Sequence, residues 1–289
     1  EVADVYYCTR VAPTTSTTDD ADGTSANVTL NTKAKRVLYI GGYEVDVTHT
    51  AAEGRHMSAI ITGDAEYGGT VSRIPLGSSR HASFVGGDSL SGHIDAFFPV
   101  DWASGPNAIL TANTRGIGGT AAEEADIFIL YSSGEAHFPM PIWGGHGLTT
   151  VPRWYIRSDL TAITNSTTET GGNAVTKPVK ASGCVGFAGV AVIDGTVVAA
   201  DEMNTRMRLT ANGALVEQFE PDQVWPVNGG SRDAGLQGLA NASVDGDAFN
   251  VDFFPVQFKV GVGGTITPNW NMRSAVTNAV EHYFYAAFV

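Results

Sequence analysis

From Arg36 onward, Val37, Tyr39 and Gly41, then Tyr43, Val45 and Val47, alternate with residues of other character. Period two marks a strand with one buried face, because successive side chains leave a pleated chain on opposite sides. Similar short runs recur at Met57–Thr62, Ile94–Trp102, Ala108–Ala112, Ile127–Tyr131, Val185–Ile193, Met207–Leu209, Val251–Val260 and His282–Phe288. Between them stand Gly-Gly pairs at 41–42, 68–69, 86–87, 118–119, 144–145, 171–172, 229–230 and 263–264. Glycine supplies the positive-φ positions that tight turns need. The helical signal is thin. Thr120–Asp126, Ala234–Ala240 and Ser274–Val280 could each form two turns, with Ser231 or Asp233 capping the second of these. No window sustains a longer i, i+3, i+4, i+7 stripe. Short strands separated by regular turn signals predict an all-β chain, a sandwich or a barrel.

The chain also resembles itself. Phe97-Phe98-Pro99-Val100 recurs as Phe253-Phe254-Pro255-Val256, an offset of 156 (253 − 97). At the same offset, without a gap, Gly105 matches Gly261, Thr111 matches Thr267, Asn113 matches Asn269 and Phe128 matches Phe284. Upstream, Met57 and Gly63 match Met207 and Gly213 at 150, and Val37 and Gly41 match Val185 and Gly189 at 148. A fixed period is the signature of a duplicated unit. The reading is two β modules at 35–133 and 181–289, with Phe97 superposing on Phe253. Residues 134–180, with Phe138, Trp143, Trp154 and Tyr155 among Pro139, Pro141 and Pro152, would connect them. Residues 1–34, with the polar run Thr14 to Asp20, read as an N-terminal arm.

Composition narrows the functions. The 289 residues carry 30 acidic against 17 basic side chains, a formal charge of -13, which argues against nucleic acid as the main partner. A hydrophobic share of 43% is too high for a disordered chain. Charged residues are 16%, below the roughly 25% of an average domain, and this suits a surface buried against neighbours. No apolar run approaches the ~18–20 residues of a membrane helix, and no charged-then-apolar leader follows Glu1. Two cysteines, Cys8 and Cys184, cannot build a disulfide scaffold, and the sequence leaves open whether they pair.

Two tandem all-β modules, a polar N-terminal arm, Gly-rich turns and a final strand with Tyr283, Phe284, Tyr285 and Phe288 make a recognisable set. The chain resembles the double jelly-roll major capsid proteins of icosahedral DNA viruses of bacteria and archaea, the lineage that includes adenovirus. The resemblance spans nearly the whole chain and rests on architecture, not on a diagnostic motif. It implies two eight-stranded jelly rolls per subunit and homotrimers that form pseudo-hexagonal capsomers. It further implies a place in the virion shell beside minor capsid proteins or an internal lipid membrane, without direct nucleic-acid contact. It implies no catalysis, cofactor or metal. The alternative is a secreted all-β carbohydrate-binding protein or glycoside hydrolase; a surface-layer or appendage protein would share the self-assembly.

Candidate chemistry is sparse. Gly87-Asp88-Ser89-Leu90 spells the nucleophile word of a serine esterase family. A serine needs an adjacent base, and the one Asp-x-x-His spacing, Asp46–His49, precedes it in the wrong order. His49, His56, His81, His93, His137, His146 and His282 form no metal-ligand pair of the His-x-His or His-Glu-x-x-His kind. Asp20-x-Asp22-Gly23, and Asp245-x-Asp247 with Asn250 and Asp252, hint at calcium loops but read first as turns. Neighbours Glu123–Glu124 and Asp201–Glu202 would point to opposite faces of a strand, so neither pair can flank a sugar together. Asn27, Asn165 and Asn241 head glycosylation sequons.

Overall fold

The computed structural model describes residues 4–45, 56–63, 72–76, 97–117, 122, 124–134, 145–164, 168–193, 205–214, 225–229, 251–272 and 279–289. The protein is all-β. Eight strands come first: β1 (Tyr6–Val11), β2 (Ala26–Thr29), β3 (Arg36–Val45), β4 (Met57–Gly63), β5 (Ser72–Pro75), β6 (Phe97–Ala103), β7 (Ile109–Gly116) and β8 (Glu124–Ser132). They pair antiparallel into sheet A, in the order β1-β8-β3-β6, and sheet B, in the order β2-β7-β4-β5.

Beyond a 3-10 turn at Gly145–Gly147 come β9 (Trp154–Arg157), β10 (Thr161–Thr164), β11 (Thr170–Gly171), β12 (Val175–Thr176) and β13 (Cys184–Ile193). Then follow β14 (Thr205–Ala214), β15 (Trp225–Pro226), β16 (Asn228–Gly229), β17 (Phe254–Phe258), β18 (Val260–Met272) and β19 (Ala279–Phe288). Sheet C runs β10-β19-β13-β16, with β9 also on β19 and β17 also on β13. Sheet D runs β11-β18-β14-β15, with β12 also on β18. Take β9 with β10 as a first strand, and β11 with β12 as a second. Sheets C and D then repeat the strand order of A and B, with β16 as an addition.

Alternation explains which residues go inside. In the first sandwich, Ile40, Ile127 and Ile129 of sheet A cluster with Met57, Ala59, Ile61, Leu110 and Ala112 of sheet B. In the second, Phe187, Phe284, Ala286 and Phe288 of sheet C cluster with Met207, Ile266 and Trp270 of sheet D. The alternate residues of β19, Tyr283, Tyr285 and Ala287, join the first sandwich's cluster. Sheet C is therefore buried on both faces, which is why β13 and the Tyr283–Phe288 part of β19 read as continuous apolar runs. Each fully buried tyrosine there stabilises the junction by roughly 1.5–3 kcal/mol of apolar transfer.

Several expectations are revised. Residues assigned to an arm, 1–34, include β1 and β2, and Leu30 and Ala34 are core. Residues assigned to a connection, 134–180, include β9 to β12, paired in the second sandwich. Of the expected helices, Glu124–Asp126 opens β8 and Ala279–Val280 opens β19, because cross-strand pairing outweighs weak helical propensity. Ala234–Ala240 lies outside the described residues. Gly41–Gly42 is no turn: it sits inside β3, where a Cβ on Gly42 (φ 148) would stand 1.9 Å from the Asp126 carbonyl oxygen of β8. Glycine is needed there for close approach.

The sequence match at Phe97 and Phe253 keeps its faces. Phe98 and Val100 are core in the first sandwich, Phe254 and Val256 pack on the core of the second, and Phe97 and Phe253 point the other way. In the central strands the match slips by one. Phe128 faces outward with Leu38, Tyr39, Leu130 and Phe97, whereas Phe284 is inside its sandwich. Gly41, beside it, is likewise out of step with Gly189, which looks inward at Met207 and Trp270. A one-residue slip exchanges the two faces. Matched by face, the outward Phe128 corresponds to Tyr285. The residue opposite Phe128 is Arg10, and the residue opposite Tyr285 is Arg157.

Candidate functional site

Among the described residues, charge and aromatic rings converge where the outer face of sheet C meets the outer face of sheet B. Strand β9, Trp154-Tyr155-Ile156-Arg157, sends Trp154 and Ile156 into its own sandwich and Tyr155 toward the first. Arg157, with a fully buried side chain, follows Tyr155. Its guanidinium donates to Ser58 Oγ at 3.0 Å and to the Arg115 carbonyl at 2.7 Å, and it pairs with the Asp20 carboxylate. It also lies 4.0 Å above the centroid of the Tyr283 ring, a cation–π contact in a desolvated setting.

Asp20 is the hub. It holds a positive φ of 52, which Asp tolerates better than most residues, and its N–H donates to the Gly116 carbonyl at 2.7 Å. Arg115 Nε lies 3.3 Å and Arg73 Nη1 4.0 Å from its carboxylate, and the Leu160 N–H donates to it at 3.3 Å. Three guanidiniums thus surround one carboxylate. Burial, with the Arg157 and Arg115 charges, lowers the Arg73 pKa below its ordinary value.

Tyrosines and a histidine complete the junction. Tyr285 OH lies 2.7 Å from His56 Nε2 and 2.6 Å from Ser58 Oγ. Burial and the Arg157 charge push His56 down to about 3, so the ring is neutral. Burial raises the Tyr155, Tyr283 and Tyr285 hydroxyls above their usual range. Tyr155 OH donates to the Pro99 carbonyl at 2.7 Å, and Trp102 Nε1 donates to the Arg153 carbonyl at 2.9 Å. His146, stacked on Phe98 at 4.1 Å, has Nδ1 3.5 Å from Asp252 Oδ1. Chemically the cluster is a clasp between sandwiches: its charged groups pair with one another, and Asp20 and Arg115 keep partial exposure. Tyr283 OH and Arg157 Nε are buried without a hydrogen-bond partner among the described residues.

The other two outer faces carry related side chains. On sheet A, Arg10 donates to Asp126 at 2.6 Å and lies 3.4 Å from Glu124, while Tyr43 OH reaches Asp126 at 3.4 Å. The Phe128 ring stands 6.1 Å from both Phe97 and Tyr43. Cys8 and Tyr6 are exposed along the same strand. On sheet D, Arg208 pairs with Glu169 at 2.6 Å, and Arg206 donates to Asn271 at 2.9 Å.

The candidates from sequence separate as follows. Asp20, a possible calcium ligand, is instead engaged by arginines, and its partner Asp22 lies 3.7 Å from Arg115. No group of three or more metal-binding side chains occurs among the described residues. His56, His146 and His282 are buried; His282 is held near Thr161 O and Thr205 Oγ1 at 3.3 and 3.4 Å, and burial lowers it to about 4. Glu124 pairs with Arg10, and Asn27 is exposed and accepts from Thr111 at 2.8 Å. Cys8 and Cys184 are both free thiols; burial raises Cys184 to about 12. Gly87–Leu90, Asp46–His49, His81, His93, His137, Glu123, Asn165, Asp201–Glu202, Asn241, Asp245, Asp247 and Asn250 lie outside the described residues. Arg157 and Tyr285 were not singled out from sequence as functional; the one signal was a basic residue closing the apolar run Trp154-Tyr155-Ile156.

No family model matches the chain, and no curated protein matches it. Among solved structures, one similar chain is PNGase F, a glycosylasparaginase from Flavobacterium meningosepticum. It is 12% identical, with a TM-score of 0.32 over 99% of this chain and 96% of that one.

Proposed function

We propose that the chain is a structural, self-assembling major capsid protein whose two sandwiches are jelly rolls derived by duplication. The observation that carries this reading is the strand order. An eight-stranded unit with sheets ordered 1-8-3-6 and 2-7-4-5 occurs first in β1 to β8 and again, with doubled first strands, in β9 to β19. The register-preserving match of Phe97-Phe98-Pro99-Val100 supports a common origin of the two units. The low charge content and the apolar residues on outer sheet faces suit lateral packing against neighbours. In this reading three subunits place six similar sandwiches around one axis, and such capsomers tile a virion shell.

The test is sedimentation velocity and electron microscopy of purified protein across a concentration range. Trimers, with larger closed shells at high concentration or ionic strength, are the expected result. A monomer at every concentration would overturn the reading.

A further inference from the structure

We propose that the outer face of sheet A near β1 docks on the outer face of sheet D of a second copy of this chain, with Arg10 meeting Glu169 of that copy. This rests on the self-assembly reading above and names the surface that carries it.

The junction inside the chain supplies the template. It joins unlike faces, the outside of sheet C to the outside of sheet B. Sheet A holds the place of sheet C in the first sandwich, and sheet D holds the place of sheet B in the second. Each chain thus carries one further copy of both halves of a contact it already makes. A contact between unlike surfaces is heterologous, so repeating it from chain to chain builds a ring when the rotation closes.

Individual side chains agree with the template. Arg157 stands opposite Tyr285 and Arg10 stands opposite Phe128, at matching positions of their sheets. Arg157 is fully buried because the first sandwich covers it; the Arg10 side chain is 49% exposed. The carboxylate that receives Arg157 is Asp20, in the connection between β1 and β2, where it also engages Arg115 of sheet B. The corresponding connection in the second sandwich runs from β10 to β11 and contains Glu169. Glu169 engages Arg208 of sheet D and keeps 35% of its side chain exposed. Arg10 beside acidic Asp126 and Glu124 on one face, and Glu169 beside Arg208 on the other, are complementary in charge and set register. Half-buried Phe97, Phe128 and Tyr43, with Tyr6 46% exposed, give the sheet A face its apolar content.

Cys8 provides the readout. It lies two residues from Arg10 on the same strand face and is exposed, whereas Cys184 is buried. A small maleimide therefore reports on Cys8 in the native protein. In oligomers isolated by size exclusion, labelling is expected to be at least about tenfold slower than in the monomeric fraction. Arg10→Glu should weaken association about tenfold or more, and Arg10→Glu combined with Glu169→Arg should restore it. Arg10→Gln, which loses the same pairs with Asp126 and Glu124 without adding a carboxylate, should weaken it less. Oligomers that label Cys8 at the monomer rate, or that ignore both variants, overturn this assignment and leave the assembly reading standing. A chain that never oligomerises overturns both.

Discussion

Replacing Asp20 by Asn isolates the clasp between the sandwiches. Asn is nearly the same shape and also tolerates a left-handed backbone, so the φ of 52 is kept and only the charge is lost. Arg157, fully buried, then loses its carboxylate partner, while Arg73 and Arg115 remain close by and Arg115 keeps only the more exposed Asp22. Removing one member of a buried pair costs about 3–5 kcal/mol. The Asp20 side chain keeps 19% exposure, so the lower end, about 3 kcal/mol, is the expected loss. For a chain of 289 residues that corresponds to a fall of roughly 5 °C in Tm. Differential scanning calorimetry at neutral pH measures it. Asp22→Asn is the control: its side chain is 56% exposed and 3.7 Å from Arg115, so its loss should stay under about 0.5 kcal/mol. If Asp20→Asn melts within about 1 °C of the parent, or no lower than Asp22→Asn, the clasp does not hold the sandwiches together.

Three further outcomes are expected. His56 and His282 are held neutral when folded, at about 3 and about 4, and regain their ordinary value near 6.5 on unfolding. Between about pH 6.5 and 4 the unfolded chain therefore binds more protons, and stability drops on acidification by up to about 1.4 kcal/mol per pH unit for each histidine. Urea midpoints measured across that range should show a shallower slope for His282→Asn; equal slopes would clear His282 of the effect. Tyr285→Phe removes the hydroxyl shared by His56 and Ser58, at a cost of about 1–3 kcal/mol in denaturant unfolding, with no change in m-value. Gly42→Ala drives a Cβ against the Asp126 carbonyl in a backbone region that L side chains rarely adopt. It should cost more than about 2 kcal/mol, and a soluble variant of unchanged Tm would contradict the close approach.

The long central strands were legible because they are buried on one or both faces. The expected runs at 57–62, 127–131 and 185–193 fall within β4, β8 and β13. Strands β1, β9 and β10 escaped notice because their sequences are short and sit among polar or proline-containing segments. Tyr6 to Val11 buries only Val11 fully, so its alternation hardly shows against the Thr-rich run that follows. The sequence identities at the 156-residue offset keep step with the sheet faces at Phe97 and Phe253 but run one residue out of step in the central strands. Identities such as Phe128 with Phe284 take no account of face, whereas packing does. The clasp was illegible for a different reason: Asp20 and Arg157 are separated by 137 residues, and only the folded sheets bring them together. Read locally, Asp20 resembled a metal ligand or a turn former, and the three arginines around it carry no shared spacing.

The interior position of β19 sets a schedule for synthesis. It lies between β13 and the pair β9 and β10, and its tyrosines cover the first sandwich while its phenylalanines fill the second. Every other described strand leaves the ribosome before it. The first sandwich can close on its own pairings, as β1 and β8 are both made early. The second must wait with its central sheet incomplete, and sheet B waits with an uncovered outer face. Through that interval the nascent chain exposes an apolar slot beside β13 that any strand of suitable pattern could enter. A polypeptide built this way depends on how quickly the ten-residue strand β19 arrives, and partial products would be open to capture by chaperones or by one another.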